Sequence, residues 1–225
     1  MAKEQPLATT SISDKIALFV QKYRVFLLGF LIVLVAALIG TAVFLAIRDT
    51  LQKNAIVTLE GLEKRKIDLG DLGDSSKSLE VQALLEEFNN FAKSTFGYSS
   101  AKAHWLAADI YAARNEWAAA EAAWAASAEA GVKTYLVPLS LFNAAAAAEE
   151  QGKLDEAIDY YNRSLLFEEE FPAASRVRFN IGRIYEAKKD KTAAAEAYRS
   201  LIEKAHEGST WAKLAQSRII AMELE

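Results

Sequence analysis

GKLDEAIDYYNRSL, residues 152–165, places a very small side chain, Ala157, four positions before a very large one, Tyr161. Positions four apart share one face of an α-helix. The same pair recurs as Ala120 with Trp124 and as Ala194 with Tyr198, 37 residues to either side. Tyr111 precedes Ala120 by nine positions and Tyr185 precedes Ala194 by nine. Three residues before those tyrosines stand Ala108 and Gly182, with Ala145 at the matching place between them. The stretch is therefore one copy of a repeat. Small residues let two antiparallel helices approach closely, and aromatics fill the space around them.

This pattern resembles the tetratricopeptide repeat, whose signature runs W-x2-L-G-x2-Y, A-x3-F and P. Three units extend from about Ala101 to Lys204 (101–208 with the last turn), with hinges at RNEW (114–117), QGKL (151–154) and KKDK (188–191). The period exceeds the family's usual 34. Position four, normally Trp, is His104, Leu141 or Arg178, and Ala148 replaces the expected Tyr in the middle unit. Residues 209–225 resemble the helix that closes such arrays, with Trp211, Leu214 and Ala215 inward. The expected fold is all-α, a single N-terminal transmembrane helix followed by a tetratricopeptide-repeat solenoid.

The membrane expectation comes from residues 25–47, VFLLGFLIVLVAALIGTAVFLAI, 23 positions without a charge. At about 1.5 Å per residue such a helix crosses a hydrocarbon core of roughly 30 Å. A cleaved signal peptide would have a shorter apolar run ending in small residues. No cysteine is present, which excludes a lipoprotein anchor, disulfides and thiolate chemistry. Lys15, Lys22 and Arg24 precede the span and Arg48 and Lys53 follow it, a bias that places the N-terminus inside. In residues 1–24, Ser13 is expected to cap a short amphipathic helix carrying Ile16, Phe19, Val20 and Tyr23. Residues 48–100 read as an outward continuation of the span, a turn and a second helix offering Leu79, Leu84, Leu85, Phe88 and Phe91. They would form a degenerate hairpin that caps the array.

Net charge is −4, with residues 1–47 positive and the remainder negative. An acidic body without a basic stripe excludes nucleic acid as a partner. The two histidines, His104 and His206, have repeat positions that explain them, and no phosphate loop or metal-binding motif is present. The run Glu168–Glu170 reads as a solvated helix end. No enzyme activity, cofactor, metal or small-molecule substrate is expected.

The resemblance implies instead a face for protein partners. Family positions that line this face correspond here to Trp105, Phe142 and Phe179, one aromatic per unit. They also include Asn143, Asn180, Arg183, Glu149, Glu150 and Glu186. Asparagines can bond a peptide backbone, and aromatics supply contact area. The alternative is that residues 78–95 cover the aromatic stripe as core.

FNNFAKSTFGYSSAKAHWLAADIYAARNEWAAAEAAW, with an N-terminal span ahead of it, resembles the first repeat of the bacterial YfgM-type inner-membrane proteins. That resemblance implies a periplasmic adaptor domain whose partners are Sec translocon subunits and a membrane-anchored periplasmic chaperone. A direct holdase for unfolded exported chains and a cytosol-facing scaffold are the competing readings.

Overall fold

The computed structural model describes residues 12–131, 134–206 and 208–224. Among these residues every regular element is helical, and the chain divides into two compact units at Lys53 and Asn54. Helix α1 (Ile12–Leu69) begins in the first unit and ends in the second.

Among the described residues of the first unit, α1 leaves its apolar side chains exposed. The stretch from Ile16 onward is long and apolar enough to cross a membrane. Thr41 and Thr50 donate their hydroxyls to the carbonyls of Ala37 and Ala46, at 2.8 and 3.0 Å, one turn back. These bonds satisfy the polar groups within the helix. Residues 12–24 are the first turns of α1, so the separate amphipathic helix expected there is not formed. Residues 1–11 lie outside the described residues.

The second unit is built from helical hairpins. The end of α1 pairs with α2 (Ser78–Ser94), where Leu59 and Leu62 pack against Val81, Leu84, Leu85 and Phe88. Leu79, expected to pack, is exposed instead, in the first turn of α2, while Val81, Leu84, Leu85 and Phe88 take the buried face. Then follow α3 (Tyr98–Ala113) with α4 (Trp117–Ala130), α5 (Leu136–Glu150) with α6 (Leu154–Ser164), and α7 (Ala174–Ala187) with α8 (Lys191–Lys204). Helix α9 (Thr210–Leu224) closes the series. Pro138 is tolerated in α5 because it sits in the first turn, where its missing N–H has no helical partner. Asp190 caps α8 by accepting from the Ala193 N–H at 3.0 Å.

The repeated small-to-large pairs make the core. Ala120, Ala157 and Ala194 are fully buried, as are Ala108 and Ala145 on the facing helices. Trp124, Tyr161 and Tyr198 fill the space beside them. The hinges repeat as well. Asn115, Gly152 and Lys189, 37 residues apart, all take the left-handed backbone, with φ of 59°, 73° and 62°. That geometry stops each first helix and turns the chain back.

Two packing expectations are corrected at the C-terminal end. Leu214 is exposed, and Ile219 joins Ala215 and Trp211 against Tyr198 instead. Glu168 is not a solvated end residue, because it pairs with the buried Arg178 and with Lys204 at 2.7 Å. Arg178 occupies the place of the usual Trp and needs that counter-charge to be buried. Glu169 and Glu170 are exposed.

Candidate protein-interaction face

Each first helix presents one aromatic at the same repeat position, and all three are half-buried. Phe142 on α5 packs its ring 5.6 Å from Tyr161 and 6.3 Å from Phe171, centre to centre. The Arg176 guanidinium, one unit further on, stands over the same ring at 5.1 Å. Phe179 on α7 lies 5.4 Å from Tyr198 and 5.5 Å from Trp211 of α9. Trp105 on α3 packs against the cluster shared by α1, α2 and α3, with the Lys102 ammonium 4.9 Å from its ring. Helix α2 thus contributes to covering Trp105. Phe142 and Phe179 take their ring contacts from the second helix of their own unit and from the chain after it. The same rings pack units together and leave an edge at the surface.

The polar residues form two linked groups. Asn180 donates its amide to the Tyr161 hydroxyl at 2.9 Å, and that hydroxyl donates to Glu149 at 2.8 Å. Arg183 pairs with the other oxygen of Glu149. Phe142, Glu149, Asn180 and Arg183 are therefore brought together around Tyr161, across α5, α6 and α7. Asn143 lies half-buried beside Phe142 on α5, and Glu150 is exposed at the end of that helix. Glu186 forms the second group with Arg218 of α9, whose Nε donates to it at 3.1 Å. Trp105 belongs to neither group.

In both ion pairs the carboxylate lies below and the cation above. Glu149 and Glu186 keep 14% and 15% of their side-chain exposure, against 50% and 44% for Arg183 and Arg218. Hydrogen bonds from Arg218 hold the Glu186 carboxyl below the usual range. Burial, reinforced by the Glu149 charge, pushes the Tyr161 hydroxyl well above its ordinary value. The surface offered outward is aromatic and cationic although the unit as a whole is acidic.

Sequence reasoning missed Arg176, Arg218 and the Tyr161 hydroxyl. A signal existed for the first, since Lys102, Arg176 and Lys213 are separated by whole periods of 37. Arg218 is hidden in the sequence because α9 reads there as a cap rather than as a further first helix.

A family profile described as tetratricopeptide repeat matches residues 108–168 and 142–209. A TPR repeat-containing protein of Treponema pallidum (strain Nichols) is 37% identical over 152 residues, 67% of this chain. The match spans 63% of that relative's length. Among solved structures, nearly identical TPR-like repeats from a putative kinesin light chain of Podosopora anserina superpose with a TM-score of 0.54. That match covers 75% of this chain and 85% of the other at 16% identity, and a single-substitution variant of the same protein matches equally. At that identity the likeness is one of fold.

Proposed function

From a chain that carries tetratricopeptide repeats, which point to protein–protein contacts, we propose an adaptor held at a membrane by residues 25–47. The observation that carries the reading is the row of half-buried rings flanked by outward-facing Arg176 and Arg183. It combines contact area with directional donors, the composition of a protein-binding surface. Tethering raises the local concentration of the face, so weak contacts suffice.

The anchor is supported by the exposure of every residue from Val25 to Ile47 except Leu27, which is half-exposed. An apolar surface of that extent is stable only when something other than water covers it. The charge bias across the span favours a C-terminal body outside the cytoplasm, which in a bacterial inner membrane is the periplasm. The resemblance to the YfgM-type proteins adds Sec translocon subunits and a periplasmic chaperone as the partner class.

A reporter active only after export, fused after Glu225, tests the placement. It is active if the body is exported. Activity of a cytoplasmic reporter at the same site, with the exported one silent, would replace this reading with the cytosol-facing scaffold. Micromolar binding of many unrelated unfolded peptides, without one stable partner, would replace the adaptor with a holdase.

A further inference from the structure

The steps from α5 to α7 and from α7 to α9 are built alike. On α5 the Phe142 ring and the Glu149 carboxylate are seven positions apart, as are Phe179 and Glu186 on α7. The next first helix answers each pair with another pair of the same spacing. Arg176 stands over Phe142 at 5.1 Å, and Arg183 pairs with Glu149. Trp211 packs 5.5 Å from Phe179, ring centre to ring centre, and Arg218 pairs with Glu186. Seven positions are two helical turns, about 10.5 Å. The step from α3 to α5 lacks this arrangement, because Ala112 stands seven positions after Trp105.

The two steps differ in what they leave open. Trp211 is half-buried, whereas Arg176 is exposed and has no carboxylate partner among the described residues. Arg183 gives one terminal nitrogen to Glu149 and leaves its remaining N–H donors free of that bond. Arg218 spends both Nε and a terminal nitrogen on Glu186. Two guanidinium groups with donors to spare therefore share one side of α7, about 10.5 Å apart. At the other end of the array, the cations beside Trp105 are matched: Lys102 by Glu63 and Lys66 by Asp109.

We infer that α7 takes an acidic protein segment, one carboxylate on Arg176, a second on Arg183 and an apolar side chain against the edge of Phe142. The inference rests on the reading of this face as a protein-binding surface and names the chemistry of its partner. Guanidinium groups hold carboxylates through paired, charge-assisted bonds. The second unit is net negative, so like charge disfavours such a segment on the rest of its surface. Carboxylates about 10 Å apart are three residues apart in an extended segment or seven apart in a helical one.

The full chain in detergent is panned against a display library of random segments held at both ends, which offers no free C-terminal carboxylate. Recovered segments are expected to carry paired Asp or Glu at one of those spacings, with an apolar residue between. Arg176→Gln is expected to weaken them several-fold. Arg183→Lys keeps a charge on Glu149 but loses the planar fork, and is expected to weaken them as well. Lys189→Gln, which removes an equal charge at the hinge, leaves them unchanged. Segments without paired carboxylates, or acidic ones held equally by Arg176→Gln, overturn this inference and leave a protein-binding face. Recovery of no segment at all removes that face, and the adaptor reading with it.

Discussion

Gly182 of α7 lies directly under the ring of Tyr198 on α8, so close that a Cβ would stand 2.7 Å from the ring's Cδ1 and Cζ. Tyr198 is fully buried and Phe179 packs against its ring, so it has little room to retreat. Gly182→Ala is expected to cost about 1–3 kcal/mol by overpacking. Thermal unfolding of the detergent-solubilised chain, followed by near-ultraviolet circular dichroism, measures it. Ala157→Leu and Ala194→Leu should behave alike, since both alanines are fully buried. Parental melting in all three variants would contradict the close approach of the paired helices.

Lys189 occupies the hinge place that Gly152 fills in the preceding unit, with φ of 62°. A side chain with a Cβ is strained there and glycine is not. Lys189→Gly is expected to raise stability by up to about 1 kcal/mol. Lys189→Val should lower it, because branching at Cβ makes the same backbone worse. The two variants move the melting temperature in opposite directions if the hinge is as described.

Arg218 lowers the Glu186 pKa, so their bond makes stability depend on pH in one direction. A carboxyl depressed in the folded state stabilises it above the ordinary value of about 4.3 and loses that contribution as pH falls through the folded pKa. Arg218→Gln should therefore melt below the parent at neutral pH, with the gap closing below about pH 4. A gap that persists at low pH would mean that Arg218 acts through packing and not through charge.

Phe142 and Arg176 separate fold from binding on the same patch. Phe142→Ala is expected to lower stability, by less than the about 3–5 kcal/mol of a fully buried ring. Arg176 is exposed and packs over that ring, so Arg176→Ala should leave melting nearly unchanged while weakening partner capture. Unchanged capture in a folded Arg176→Ala protein would move the binding face elsewhere.

Much of this architecture was legible because packing repeats. Ala157 with Tyr161 is a local pair, yet its recurrence every 37 residues exposes a tertiary rule. Leu79 and Leu214 were misjudged because hydrophobicity does not say which side of a short helix faces the array. The solvated reading of Glu168 failed because its partner Arg178 is ten residues away and buried only in the fold. The Glu186–Arg218 bond spans two helices whose pairing no local pattern announces. At the candidate face, the identity and spacing of the aromatics were visible; the cations over and beside them depend on how successive units stack.

The central claim, that the face of α5 and α7 holds a protein partner, has a direct measurement. A photo-activated crosslinking residue is placed at Asn143 on α5 and, in a separate protein, at Asp159, exposed on α6. Each full chain is expressed in cells, irradiated in its membranes and examined for protein adducts. The account predicts a discrete adduct from Asn143 that disappears with Arg176→Ala, and none from Asp159. Equal adducts from both sites, or an Asn143 adduct indifferent to Arg176→Ala, would contradict it.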